Sequence, residues 1–226
     1  MAAVPKKYTF DDREETPEEG AGPEFRKLFA AARDLPEPTP YPGGPLRKEK
    51  GHGIVLSAPH QAAHMREGVR LPAESGSAEL AFALARNVGG SALSTVDPQS
   101  GDPNWDVGHP YCDLAYELAG GSPVLDFHKM KPRGVDMCVG LGPHPEMTEK
   151  LWVPLVKEAV AAGLRVAINW PFKAAGPGTV TGQLQERGLS VVQIELVFHS
   201  YEAGPTRVAT WTSLLRAIRS IKEASR

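Results

Sequence analysis

From Gly51 onward, short apolar runs alternate with longer stretches of helical period, and this alternation restricts the possible folds more than any other feature. GIVLSA (53–58), SALSTV (91–96), SPVLDFH (122–128), VDMCVGLG (135–142), LRVAINW (164–170) and LSVVQIEL (189–196) read as buried strands. Between or after them, SGSAELAFALARNVGG (75–90), YCDLAYELAGG (111–121), PEMTEKLWVPLVKEAVAAG (145–163) and TRVATWTSLLRAIRSIKEASR (206–226) carry apolar residues at helical spacing. Ser75 or Ser77 is a cap candidate for the first of these helices, Gly89-Gly90 stops it, and Pro145 lies near the start of the third. Strands alternating with helices predict an α/β three-layer sandwich with a mostly parallel, mixed sheet.

A chain of 226 residues with 41% hydrophobic content suffices for one domain with a substantial core. We place that domain at residues 49–226 and read 1–48, with its acidic and proline-rich pieces around PEFRKLFAAARDL, as an N-terminal extension. No run approaches the roughly 18 apolar residues of a membrane helix, and the N-terminus lacks an apolar signal core, so the reading is a cytoplasmic protein with no membrane partner. Two cysteines, Cys112 and Cys138, do not make a disulfide framework and read as packed residues. The net charge is -2 with no basic stripe, which argues against nucleic acid as a partner.

Polar residues interrupt the apolar strands at telling places. His60 follows IVLSAP, His128 follows PVLDF, and Glu195 sits inside SVVQIELVF. Ligands of open α/β sheets bind beyond the carboxyl ends of strands, so two imidazoles and a carboxylate point toward one possible cleft. Two histidines and a glutamate form one common hydrolytic zinc set, with a further carboxylate free to take a proton from water. Each residue also has an ordinary explanation: a strand-end histidine is often just hydrogen-bonded, and Glu195 could pair with a lysine or arginine.

The order APH, then AESGSAELA, then VLDFHKMKPRGVDMCVGLG, then QIEL resembles the N-formylglutamate amidohydrolases and the related poly-gamma-glutamate hydrolases. The resemblance spans roughly residues 51 to 220 and implies a zinc-carboxypeptidase-like fold. It implies Zn²⁺ held by His60, Glu74 and His128, and Glu195 as the general base. Arg133 and Asp136, in PRGVD, fall where the family carries polar residues beside the cleft. Arg133 would then hold a substrate carboxylate or polarise the scissile carbonyl. Asp126, two residues before His128 and so on the same strand face, would orient that imidazole. The activity implied is cleavage of an amide bond in a small-molecule or peptide substrate that bears a carboxylate: an N-acyl amino acid or a small peptide, glutamyl peptides included.

The chain departs from the family after the first PH, where Gln61-Ala62-Ala63 stands in place of glycine. His64-Met65-Arg66-Glu67 reads as H-x-x-E, the ligand pair of zinc carboxypeptidases, so a second set of His64, Glu67 and His128 stays open. The rival reading is a family member that keeps the fold but binds a metabolite or protein without cleaving it. A serine hydrolase is disfavoured, because there is no G-x-S-x-G elbow. GLGPHPE (140–146) reads as a turn rather than an anion site, and KAAGPGTVTG (173–182) as a flexible loop able to close over substrate, with Thr179 or Thr181 in reach.

Overall fold

The computed structural model describes residues 21–96, 99–202 and 204–224. In chain order the first half comprises α1 (Pro23–Ala31), β1 (Leu46–Glu49), β2 (Val55–Ala58), β3 (His64–Arg66), β4 (Val69–Leu71), α2 (Ser77–Val88), β5 (Ser91–Thr95) and α3 (Pro110–Ala119). The second half comprises β6 (Val124–Met130), β7 (Met137–Gly140), α4 (Glu149–Ala161), β8 (Val166–Ile168), α5 (Val180–Glu186), β9 (Val191–Val197) and α6 (Pro205–Ala224). All six expected strands form, and they join a seven-stranded sheet in the order β1-β5-β2-β6-β9-β7-β8. The central strands β5, β2, β6 and β9 are mutually parallel; β1 runs antiparallel to β5 and β7 antiparallel to β9, while β8 pairs parallel with β7. This is the expected mixed α/β sandwich. No helix among the described residues is long and apolar enough to cross a membrane.

Helices cover both faces, which is why the central strands carry apolar residues nearly throughout. One face holds the larger core: Leu56, Leu125, Phe127, Val192 and Ile194 pack with α1, α2, α4 and α6. The other holds Val55, Leu93, Val124 and Val191 under α3 and α5. Because a strand alternates faces with period two, Asp126 and His128 leave the sheet on the α3/α5 side, as do Gln193 and Glu195. That second helical layer is short, and the site lies at the end of the strands it leaves open.

The expected boundary at 48/49 falls inside strand β1, which pairs antiparallel with β5 from Leu46↔Thr95 to Glu49↔Ala92. Helix α1 is likewise docked: Phe25 is fully buried with its ring 5.9 Å from that of Trp211 on α6. Arg86 on α2 joins both segments, donating to Glu49 Oε2 and to the Ala31 carbonyl, each at 2.9 Å. The described residues 21–48 are therefore part of the sheet and core, held there by apolar burial. The acidic run DDREETPEEG lies outside the described residues.

Local chemistry accounts for the remaining differences. Helix α2 is capped by neither Ser75 nor Ser77. Its N-cap is Gly76, at φ 98° with no side-chain cap of its own, and a Cβ there would come within 2.9 Å of Tyr201 Cδ1. The cap comes from a distance: Gln61 Oε1 accepts from Ala78 N at 2.9 Å, giving the first residue after the Pro59-His60 pair a structural task. Gly89 stops the helix at φ 64°, as expected. Pro145 opens a separate 3₁₀ turn, and α4 begins only at Glu149 after the N-cap Thr148.

Candidate active site

Strand β2 pairs with β6 only as far as Ser57↔Asp126, whereas β9 accompanies β6 through Val197. Beyond Asp126, one edge of β6 is therefore open, and a carboxylate docks there: Lys129 N donates to Glu74 Oε2 at 2.8 Å. The Glu74 backbone N–H donates to the His60 carbonyl, also at 2.8 Å. Glu74 is thereby fixed between the end of β2 and the end of β6.

His60, Glu74 and His128 converge, with one donor atom from each lying within 4.8 Å of the others. His60 Nδ1 is 3.0 Å from Glu74 Oε1, and His128 Nδ1 is 3.3 Å from Glu74 Oε2. The other ring nitrogens meet buried aspartates: His60 Nε2 is 2.7 Å from Asp102 Oδ1, and His128 Nε2 is 3.0 Å from Asp126 Oδ2. Asp126 is held in turn by Ser57 Oγ at 2.7 Å, with Tyr111 OH 2.8 Å from the same hydroxyl.

This arrangement is a test of whether a cation fits. A neutral imidazole has one N–H. If each histidine spends it on its aspartate, both Nδ1 lone pairs face the Glu74 carboxylate, and acceptor confronts acceptor. Only an added proton or a metal ion resolves that. Zinc bonds of about 2.0–2.2 Å in tetrahedral geometry set ligand atoms roughly 3.4 Å apart, close to the separations here. An aspartate behind each histidine is also the usual support of a metal-binding imidazole. The donor set fits zinc. In the absence of a cation the protons take over. Burial opposes charge on both histidines. Even so, Glu74 and Asp102 hold His60 above its ordinary pKa, and Asp126 and Glu74 hold His128 well above its own. Glu74 is likewise buried, yet the two histidines depress its pKa strongly.

A second grouping, His60, His64 and Asp102, shares His60. Here Asp102 Oδ2 already accepts from Arg66 Nε at 2.6 Å, so a guanidinium occupies the place of a cation. His64 stacks on His60 with ring centroids 3.9 Å apart and planes 6° from parallel. Burial, and then His60, lower its pKa. The H-x-x-E pair is split: residues three apart share a face on a helix but not across a hairpin. His64, on β3, is buried, and Glu67 stands exposed in the turn to β4 at φ 51°. The set His64, Glu67 and His128 is not brought together.

Glu195 lies opposite His128 in the β6–β9 register and is 7% exposed. Burial first, then the charges of Glu74 and Asp126, against the opposing pull of His128 and His60, raise its pKa to about 7. Gln193 Nε2 donates to its Oε1 at 2.8 Å. Arg133 does not line the cleft; it is exposed, with its guanidinium 5.7 Å from the Phe172 ring centre. Asp136 is bound to Arg165 by two side-chain bonds, at 2.8 and 3.0 Å. The arginine that does border the cleft is Arg66, 4.8 Å from the Trp105 ring centre. Lys129, Lys131 and Lys173 line the same cleft, whose volume is about 860 Å³.

Sequence reasoning missed Asp102, Asn104 and Arg66, because a loop and a hairpin of no periodicity deliver them. Gln193 was findable: it stands two residues before Glu195 on a strand. The loop 173–182 is tied down: Thr179 caps α5 by accepting from Gly182 N, Thr181 is buried, and Gly178 packs on the Trp105 carbonyl. GLGPHPE is a turn, with His144 N held by Gln185 Oε1 at 2.8 Å. Both cysteines are buried free thiols, and burial pushes Cys112 up to about 12.

No family model matches the sequence, and neither does any curated protein. Solved structures do match. A bacteriophage poly-gamma-glutamate hydrolase superposes with a TM-score of 0.55 at 15% identity, covering 80% of this chain and 90% of that one. The N-formylglutamate amidohydrolase from Ralstonia eutropha JMP134 gives 0.52 at 16% identity, covering 81% and 98%. The chain shares their fold. A carboxypeptidase-like protein from Burkholderia mallei ATCC 23344 also matches, at 0.52 and 14% identity, over 89% and 68%. The fold thus supports the family resemblance carried by the motifs.

Proposed function

We propose that the chain is a zinc-dependent amidohydrolase whose metal is held by His60, Glu74 and His128. The observation that carries this reading is the pair of imidazole nitrogens converging on Glu74, each with its other nitrogen on a buried aspartate. Bound there, zinc would supply Lewis acidity to a scissile carbonyl and lower the pKa of water toward ~7.

The chain's own groups perform the rest. Glu195, buried beside His128, takes the proton of the attacking water and returns it to the departing amine nitrogen as the C–N bond breaks. Its raised pKa suits both halves of that exchange near neutral pH. Asp102 and Asp126 keep the two imidazoles in the orientation and tautomer that leave their Nδ1 atoms free to bind. Arg66, anchored through Nε on Asp102 at the border of the cleft, would donate to a developing negative charge. Lys131 and Lys173 suit a substrate carboxylate, consistent with an N-acyl amino acid or a small glutamyl peptide.

The test is metal analysis of the purified protein together with a panel of N-formylglutamate, larger N-acyl amino acids and short gamma-glutamyl peptides. About one equivalent of zinc and chelator-sensitive hydrolysis of at least one compound are expected. Metal-free protein that hydrolyses none of them after zinc loading would overturn the reading in favour of a binding module.

A further inference from the structure

Behind Glu195 runs a chain of two buried amides, Asn104 and Gln193. Asn104 is 8% exposed and Gln193 3%. Asn104 Oδ1 accepts from Val180 N at 2.7 Å, Asn104 Nδ2 donates to Gln193 Oε1 at 3.5 Å, and Gln193 Nε2 donates to Glu195 Oε1 at 2.8 Å. The direction of this chain is not arbitrary. A backbone N–H only donates, so Val180 fixes which end of the Asn104 amide is oxygen. The Asn104 NH₂ then faces Gln193, which fixes that amide in turn and leaves an N–H pointing at the carboxylate. The Asn104 backbone N–H meanwhile donates to Asp102 Oδ1 at 2.9 Å, so the same residue also touches the aspartate behind His60.

We infer that Asn104 and Gln193 form a one-way hydrogen-bond relay, rooted in the Val180 N–H, that positions the Glu195 carboxylate and leaves Oε2 as its reacting oxygen. An N–H cannot take a proton, so Oε1 keeps the amide bond throughout; that bond lowers the basicity of Oε1 and favours Oε2 for proton transfer. A fixed carboxylate also avoids the loss of rate that follows from a base able to rotate between orientations. Asn104 and Gln193 are positioning residues, acting on the reaction through Glu195. The inference rests on the proposed role of Glu195 as the base.

Two variants test it. Asn104→Asp keeps an acceptor for Val180 N–H but turns an acceptor toward Gln193, which reverses the relay. Gln193→Met removes the relay at nearly constant shape. With whichever substrate the panel identifies, each should lower kcat by about tenfold to a hundredfold, the worth of one hydrogen bond to a charged group. KM and zinc content should stay within about twofold of wild type. A raised KM with unchanged kcat would mean that these amides touch substrate, and the relay would be wrong. Crystal structures of Gln193→Met provide an arm independent of turnover. The Glu195 carboxylate should rotate or split between orientations while His60, Glu74 and His128 stay in place; a carboxylate left where it was overturns the relay. Should wild-type protein hydrolyse nothing, the proposed function fails, and the crystal structures still decide the relay.

Discussion

His128 and Glu195 occupy the same register on adjacent parallel strands, β6 and β9, so the imidazole and the carboxylate leave one face of the sheet side by side. Period-two alternation then adds Asp126 behind the first and Gln193 behind the second. The proposed division of labour between ligand and base rests on that register, and so does the clearest experiment. Glu195→Gln should retain zinc and lose about 10²- to 10⁴-fold in kcat, the usual worth of a general base. Zinc lost together with activity would make Glu195 a ligand instead.

Zinc removal should be visible in stability. Binding to the folded state alone contributes about 4 kcal/mol at a thousandfold excess over Kd, and so raises Tm by roughly 8–16 °C for a chain of this size. Thermal scans with and without chelator measure this directly. In His128→Ala the zinc-dependent rise should vanish.

The pH profile should carry the signature of Glu195. Its carboxyl must be ionised to accept a proton, and burial raises its pKa from 4.5 to about 7. We expect kcat/KM to rise with pH and level off near 7, or somewhat lower once a cation sits nearby. The same shift acts on stability with the opposite sense. A carboxyl whose pKa is higher folded than unfolded destabilises the fold as pH climbs past the unfolded value, and does so fully above the folded one. Metal-free Glu195→Gln should therefore exceed metal-free wild type in Tm at pH 8 and lose that advantage by pH 4.

Arg66 and Arg133 should separate cleanly. Arg133 is exposed beside Phe172, so Arg133→Ala should change kcat/KM by no more than about twofold. Arg66 binds the buried Asp102, and Arg66→Ala should lower kcat/KM by about tenfold or more through the loss of a charged hydrogen-bond partner. Steady-state kinetics on the two variants compares them; equal effects would refute the assignment of Arg66 to the cleft.

Gly178 tests the attachment of the two loops flanking the site. A Cβ there would stand 1.7 Å from the Trp105 carbonyl oxygen, which is backbone and cannot simply turn aside. Gly178→Ala should cost about 1–3 kcal/mol in denaturant unfolding and also reduce kcat/KM, because Trp105 adjoins Asn104.

The strands and the larger helices were legible because burial on both sheet faces imposes long apolar runs, and helices announce themselves by period and by glycine stops such as Gly89. The places of His60, His128 and Glu195 were legible for the same reason: a polar residue in an apolar strand stands out. What stayed hidden came from segments without period. The β3–β4 hairpin, only a few residues per strand, turned His64 inward and Glu67 outward, which spacing alone does not reveal. Strand β1 was hidden in a charged sequence, LRKE, because an edge strand with one buried residue has no apolar run to show.

By itself, then, the sequence determined the layers of the sandwich and the strand ends that bear the candidate site residues, since both depend on local periodicity and burial. Only the tertiary structure decided which groups meet. That Glu74 closes on the free edge of β6, that Asp102 lies behind His60, and that Arg66 rather than Arg133 borders the cleft depend on contacts between segments distant in the chain. Such contacts are set by where one strand ends and its neighbour continues, and by loops whose path no local pattern encodes.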